Sequence, residues 1–293
     1  MTEFARPSHG GVFSSGTPGV SEVAIVGAGR VGCAIGRSLA ARGHRIVAAS
    51  TASPASAARV RDALGDVPVT SPADAALAAD VIVIAVPDDA LAGVANQVAL
   101  GLRDGATVVH TSGLHGAAAL AVCGERVAAI HPAQAIPAAD TDLTGVWFGV
   151  TCEPAMREWA DDFVAQLGGI ALHVPEDRRA VYHAALCMAS NFAVALAGDA
   201  QDLLSDAGPL APLLRGTVEN VIALGADAAL TGPIVRGDAG TVRAHVAALP
   251  PHLLESYVAN ARRTLDRAVG SGRLNPDKAA LVEAALQEAS VPQ

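Results

Sequence analysis

Gly27, Gly29 and Gly32 stand in Gly-x-Gly-x-x-Gly spacing, directly after the apolar run Val23-Ala24-Ile25-Val26 and before a helical stretch from Ala34 to Ala41. That order, strand then glycines then helix, is the context in which such glycines hold the pyrophosphate of a dinucleotide. Gly27 permits the tight turn, Gly29 removes the Cβ that would block a pyrophosphate, and Gly32 lets the helix pack closely on its strand. The helix N-terminus adds free N–H groups and the positive end of its dipole. A Gly-rich turn in an Ala- and Gly-rich chain is the plainer alternative. Strand, spacing and helix agree, so the expected phosphate cradle is Gly27, Ala28, Gly29, Arg30, Val31 and Gly32.

The end of the second strand decides between the two pyridine dinucleotides. NAD-selective sites carry an acidic residue there to grip the ribose hydroxyls. This chain reads Ala48-Ala49-Ser50-Thr51-Ala52-Ser53, with no carboxylate and with Arg59 and Arg61 following. Hydroxyls and a nearby cation suit a 2′-phosphate, so Ser50 and Thr51 predict NADP rather than NAD. The same two residues could instead cap the helix that begins before Pro54. Val86, Pro87 and Thr111, at strand ends, complete the expected nucleotide set.

Reacting groups are expected beyond the carboxyl ends of the strands, where open α/β sheets bind their ligands. Pro87-Asp88-Asp89, His110-Thr111-Ser112-Gly113 and His131-Pro132-Ala133-Gln134 each follow a buried strand. Ser112 is expected to touch substrate, although strand ends are also where turns belong. His131 is either a site residue or a satisfied structural histidine, and an imidazole is the side chain that titrates near neutrality. His183, Cys187 and Asn191 recur at spacings of four, which places them on one face of a helix. An amide buried there without a partner would cost about 1–3 kcal/mol, so Asn191 should bond either a backbone group or a substrate oxygen. In Thr231-Gly-Pro-Ile-Val-Arg-Gly-Asp238, Arg236 either belongs to a linker with a salt bridge or clamps a substrate carboxylate with its planar fork.

The elements that would carry these residues follow from patterning. Candidate strands are 23–26, 45–49, 67–69, 81–86, 107–110, 127–130 and 146–150, with an edge strand in 169–174. The continuously apolar run Val81 to Val86 fits a strand covered on both faces. Strands alternating with helices imply a doubly wound, mostly parallel α/β sheet of Rossmann type. After Pro175 the pattern turns helical: one long helix over 176–207, then helices over 212–225, 241–248, 251–270 and 275–288. The expected organisation is a leader over residues 1–20, rich in Gly, Ser and Pro and read as disordered, a Rossmann domain over 21–175, and an all-α domain over 176–293.

Composition sets outer limits. The 293 residues are 51% hydrophobic, 17% charged and 3% aromatic, with a net charge of −9. That charge argues against nucleic acid and anionic membrane surfaces as partners. Cys33, Cys123, Cys152 and Cys187 form no Cys-x-x-Cys pair and read as buried, reduced thiols of a cytoplasmic protein. No metal site is expected, because the histidines lack the paired Cys or carboxylate spacing of a zinc centre. The weakly charged window Ala180 to Gly198 is Ala-rich and contains Tyr182, His183, Ser190 and Asn191, so it reads as a buried helix rather than a membrane span.

Taken together and in order, His110-Thr-Ser-Gly113, His131-Pro132, Tyr182-His183 with Ser190-Asn191, and Thr231 to Asp238 carry a resemblance. From about residue 21 onward the chain resembles the Rossmann-like, NADP-dependent oxidoreductases whose C-terminal domain has no assigned function. It is more distantly similar to pyrroline-5-carboxylate reductases, prephenate dehydrogenases and β-hydroxyacid dehydrogenases. The resemblance implies a helical domain that dimerises and an NADP-linked dehydrogenase or reductase acting on a small acid. The β-hydroxyacid dehydrogenases place a catalytic Lys four residues before an Asn; here Asn191 is present but position 187 is Cys. The family's usual basic residue after the second strand is also missing, since Thr51 follows Ser50.

The expected chemistry is hydride transfer to or from a small keto, hydroxy or imino acid. Ser112 and Asn191 would hydrogen-bond the substrate, His131 or His183 would serve as acid–base, and Arg236 would hold the anionic end, in cis or from a dimer partner. Two rival readings are a non-catalytic NADP(H)-binding regulatory protein and a structural dimer module whose glycines serve packing alone.

Overall fold

Residues 20–288 are described by a computed structural model, so the expected leader lies outside the described residues save for Val20. The first strand, β1 (Glu22–Val26), runs straight into the glycines and α1 (Arg30–Ala40). Next come β2 (Arg45–Ser50), α2 (Pro54–Leu64), α3 (Pro72–Ala78), β3 (Val81–Ile84), α4 (Leu91–Gly101), β4 (Thr107–His110) and β5 (Val127–Pro132). A short 3-10 helix, Ala117–Cys123, joins β4 to β5. Then follow β6 (Trp147–Cys152), α5 (Arg157–Gln166), β7 (Ile170–His173) and α6 (Arg179–Ala189). The sheet order is β2-β1-β3-β4-β5-β6-β7, parallel through β5, with β6 antiparallel to β5 and β7 parallel to β6.

Both faces of the sheet are covered, which explains the continuous apolar strands. On one face Ile25, Val83 and Phe148 join Ile35 and Leu39 of α1 and Phe163 of α5. On the other, Val26, Ile82 and Ile84 meet Leu91 and Val98 of α4 and Leu120 of the 3-10 helix. All four residues of β3 are buried. The parallel order reverses direction between β1 and β3, so the carboxyl ends of β1, β3, β4 and β5 share one edge.

Two expectations about this part of the chain need correction. Residues 67–69 form no strand; only Val69 bridges Ala49, because Pro68 lacks the N–H that a ladder needs. The helix expected over 176–207 is broken at Ser190, whose φ of −113° and ψ of −75° end α6. The chain divides into compact units at 190/191 rather than near 175. The reason is local: Arg179 and Tyr182 of α6 fasten that helix to the sheet, as described below.

The second unit is helical throughout: α7 (Asn191–Asp202), α8 (Leu210–Leu224), α9 (Ala226–Ala229), α10 (Pro233–Arg236), α11 (Ala239–Ala248), α12 (Pro251–Gly270) and α13 (Pro276–Gln287). Its core is Val235, Val242, Val258, Leu265, Val282 and Leu286, supplied by α10 to α13. By contrast, α7 and α8 bury no residue. The span Glu176–Asp202 is long and apolar enough to cross a membrane, and its most apolar 18-residue window, with a mean hydropathy of 1.5, has no buried residue. The expectation of a buried helix there is overturned, because the unit's core closes without it.

Candidate active site

The glycine turn is built around three demands. Gly27 has φ +87°, and a Cβ there would stand 2.5 Å from Val86 Cγ1 and 2.6 Å from the Ala85 carbonyl oxygen. The N–H groups of Gly27 and Ala28 donate to the Ser50 carbonyl at 2.9 and 3.0 Å, latching the turn to the end of β2. At Gly32 a Cβ would come within 2.6 Å of the Gly27 carbonyl oxygen, so only glycine lets α1 start this close to the turn. Gly29 differs: an added Cβ would meet only the Gly27 oxygen, at 4.0 Å, leaving its outer side open. It is also the N-cap of α1 and supplies no side-chain cap, so the first-turn N–H groups lack side-chain acceptors. An open glycine over an uncapped helix end fits a pyrophosphate.

The remaining nucleotide residues border that cradle. Ser50 is buried and Thr51 half-buried at the end of β2. Val86 and Pro87 follow β3, and the Thr111 N–H after β4 donates to the Ile84 carbonyl at 3.1 Å. Neither Ser50 nor Thr51 caps α2; Ser53 does, accepting from the Ser56 N–H at 3.2 Å. Arg59 reaches back to the Ser56 hydroxyl at 3.4 Å.

Past β4 the chain makes a tight polar knot. His110 is fully buried; its Nε2 lies 2.9 Å from the Gly116 carbonyl, and its Nδ1 accepts the Ser112 N–H at 3.2 Å. That pairing makes His110 a neutral imidazole with its hydrogen on Nε2, and burial holds its pKa down to about 4. The Ser112 hydroxyl oxygen accepts the N–H groups of Leu114 and His115 at 3.2 and 3.0 Å. Its oxygen therefore shapes the turn, while its hydrogen remains available to an acceptor.

Arg179, only 1% exposed, ties this knot to β6. One terminal nitrogen donates to the Gly149 carbonyl at 3.1 Å, and the other donates to the Ser112 carbonyl. Its Nε is buried without a partner, and no carboxylate lies within ion-pair distance among the described residues. A buried cation held only by neutral acceptors is an uncommon arrangement, since such charges are normally paired. It adds a positive charge beside His131.

His131, at the end of β5, sits on the same side. Its Nδ1 lies 3.1 Å from the Tyr182 hydroxyl, with the rings edge to face. The His183 ring is 5.7 Å away, and Gly113 lies against both imidazoles. Burial, then the Arg179 charge, press the His131 pKa down to about 3. His183 Nε2 is 3.7 Å from Cys187 Sγ, one helical turn on. Cys152 and Cys187 are half-buried, not buried as expected, whereas Cys33 and Cys123 are buried.

Ser112, His131 and His183 are thus brought together in the first unit. Asn191 and Arg236 belong to the second. Asn191 is exposed, not buried, and the break at Ser190 removes it from the helical repeat begun by His183 and Cys187. Arg236 is exposed at the end of α10 and forms no salt bridge with Asp238, which instead caps α11 through Thr241. Sequence reasoning missed Arg179 and gave Tyr182 no role. The available signal was the spacing Arg179, Tyr182, His183: three polar residues on one face at the start of an otherwise apolar helix.

Comparison with known proteins divides the chain between two family models. Residues 12–132 match the Rossmann-like domain, and residues 146–264 match the domain of unknown function DUF2520. The chain joins a Rossmann-like domain to a domain of unknown function. No curated protein matches it by sequence. Among solved structures it is similar to a candidate NADP oxidoreductase from Bacteroides fragilis, with 20% identity, a TM-score of 0.73, and coverage of 84% of this chain and 98% of that one. A protein from Thermotoga maritima gives 20% identity and a TM-score of 0.58, over 92% and 100% of the two chains. The pyrroline carboxylate reductase of Plasmodium falciparum, solved with NADP bound, gives 14% identity and a TM-score of 0.53, over 92% and 98%. At these identities the likeness is one of fold.

Proposed function

We propose that this chain is an oxidoreductase that moves a hydride between a nicotinamide dinucleotide and a small carboxylic acid, of the keto, hydroxy or imino kind. The observation that carries the reading is the open Gly29 over an uncapped α1, on the same sheet edge as His131. The nicotinamide, when bound, supplies or accepts the hydride; the protein's part is to hold, orient and manage the proton. Gly27 to Gly32 would hold the pyrophosphate, and Val86, Pro87 and Thr111 would line the path toward the reacting end. Ser112 would direct its free hydroxyl hydrogen at a substrate oxygen, with His131 or His183 as acid–base. The Arg179 charge beside His131 would favour an anionic substrate.

NADP is favoured over NAD because β2 ends without a carboxylate, in a neighbourhood of Ser50, Thr51, Ser53 and Arg59. The named activities of the Bacteroides and Plasmodium relatives run in the same direction. A cytoplasmic setting accords with four free cysteines. The chain is further assigned as a homodimer through α7 and α8, whose apolar side chains have no cover of their own.

Calorimetry with NADPH and NADH, followed by turnover assays on small keto, hydroxy and imino acids, tests the reading. NADPH should bind at least tenfold tighter than NADH, and one acid class should support its oxidation. Absence of any dinucleotide binding overturns the oxidoreductase reading. Tight binding with no turnover across the panel favours a regulatory NADP(H)-binding protein instead.

A further inference from the structure

The hydrogen bond between Tyr182 and His131 has a direction, and the acid–base strengths of the two groups favour one. Either the phenol donates to Nδ1, or Nδ1 carries a hydrogen and donates to the phenol oxygen. A phenol is a stronger acid than a neutral imidazole N–H, and an imidazole nitrogen a stronger base than a phenol oxygen; with no other hydrogen-bond partner for the Tyr182 hydroxyl among the described residues, its hydrogen faces Nδ1. The Arg179 guanidinium lies over the Tyr182 ring, 5.5 Å from its centroid. Tyr182 packs directly on Gly149, where a Cβ would stand 2.5 Å from the phenol oxygen.

We propose that Tyr182 is the positioning residue of this site: it donates its hydroxyl hydrogen to His131 Nδ1, locks the imidazole in the tautomer bearing hydrogen on Nε2, and supplies the second proton of a two-step relay. The catalytic meaning rests on the oxidoreductase reading above; the tautomer itself does not. In the reducing direction, the substrate oxygen takes the hydrogen from Nε2 as it gains charge. The electron pair of that N–H bond stays on the ring. Nδ1 in turn takes the hydrogen from the Tyr182 hydroxyl, so the imidazole ends neutral with its tautomer exchanged. The Arg179 charge favours the phenolate left behind, against the burial that raises the Tyr182 pKa, until solvent returns a proton. In the oxidising direction each transfer runs backward.

A relay of this kind is needed because an imidazolium is the wrong acid here. His131 faces Arg179 and His183 from α6, His110 from β4, and Asp88 from the turn after β3. Of these only Asp88 favours the cation, and it is outweighed by burial and Arg179. The imidazole therefore enters the reaction uncharged and cannot deliver a proton without receiving one. Tyr182 is the donor within reach, at 3.1 Å.

Long-range 1H–15N spectra of the full-length, 15N-labelled protein test this without nucleotide or substrate. The His131 signals are assigned by their loss in His131→Gln. Between pH 6 and 8 they should show hydrogen on Nε2 and an unprotonated Nδ1 shifted upfield by an accepted hydrogen bond. In Tyr182→Phe, Nδ1 should move downfield toward the position of a free imidazole nitrogen. Hydrogen on Nδ1 in the unmodified protein overturns the proposal, and so does an Nδ1 signal that Tyr182→Phe leaves unmoved. The first outcome needs only the unmodified chain, so misfolding of the variant leaves the proposal open to refutation. Failure to bind any dinucleotide would instead remove the oxidoreductase reading and leave the tautomer standing.

Discussion

Gly113 separates two imidazoles: a Cβ placed on it would lie 2.5 Å from His183 Cδ2 and 3.0 Å from His131 Nε2. The loop after β4 thus passes between β5 and α6 with backbone alone, and the distance between the two histidines is set by the absence of a side chain. Gly113→Ala should force the His183 ring aside. Overpacking of this kind typically costs about 1–3 kcal/mol. The expected result is a drop in unfolding free energy of that order, together with changed chemical shifts at His131 and His183. Unchanged stability and unchanged shifts would contradict the packing described here.

The glycines of the first turn should separate by function. Gly32→Ala places a methyl 2.6 Å from the Gly27 carbonyl and should destabilise the fold by about 1–3 kcal/mol. Gly29→Val meets open space and should leave stability within about 0.5 kcal/mol, as surface substitutions usually do. The same variant should abolish NADPH binding, because its side chain fills the approach to α1. Chemical denaturation beside calorimetry reads both effects. Equal loss of stability in the two variants would argue that the turn serves packing alone.

Stability should fall on mild acidification. His110 and His131 have folded-state pKa values of about 4 and about 3 against 6.5 when free. Both are lowered, so above pH 6.5 neither state binds the protons and the fold keeps its full stability. As pH falls below 6.5 the unfolded chain protonates first, and stability is lost until the folded groups titrate. Each imidazole contributes a slope of about 1.4 kcal/mol per pH unit across that window. Denaturation midpoints measured between pH 7.5 and 4.5 should be flat above 6.5 and decline below it. A flat profile to pH 5 would contradict the buried, neutral assignment.

Arg179 holds the Ser112 and Gly149 carbonyls together, so its removal should be felt in two ways. Arg179→Met leaves buried acceptors without donors, which costs about 1–3 kcal/mol for each one stranded. It also deletes the cation beside His131, so that pKa should rise toward its ordinary value. Arg179→Lys keeps the charge but not the fork, and should retain the low His131 pKa while losing stability. NMR titration of both variants checks the split. A His131 pKa unmoved in Arg179→Met would show that burial alone depresses it.

Much of this arrangement was legible in the chain. The run Val23 to Val26, the glycine spacing and the buried β3 announce a doubly wound sheet, because local pattern and fold agree there. The same logic placed Ser112 after β4 and His131 at the end of β5, where the fold has them. Arg179 was not legible, because its value depends on the Ser112 and Gly149 carbonyls, which lie 67 and 30 residues away. Ser190 escaped notice because nothing in its neighbours breaks helical periodicity. Asn191 was misplaced in consequence: its spacing from Cys187 has meaning only on an unbroken helix.

The apolar surface of α7 and α8 yields the last prediction. Phe192, Val194, Leu213, Val218 and Ile222 are all exposed, Ile222 at 75%. Soluble monomers rarely leave so continuous an apolar patch open. A lipid cover is ill suited, because Asp199, Asp202, Arg215 and Glu219 interrupt the same helices. A second copy of the chain meets both demands, since a two-fold axis lets each apolar stripe cover its counterpart while the charges turn outward. Sedimentation analysis should therefore give a dimer. Ile222→Asp, placing a carboxylate in that interface, should shift the chain to monomer and lower its thermal midpoint in a concentration-dependent way. A monomer in the unmodified protein would contradict the dimer, and uptake onto neutral phospholipid vesicles would assign the same surface to a membrane.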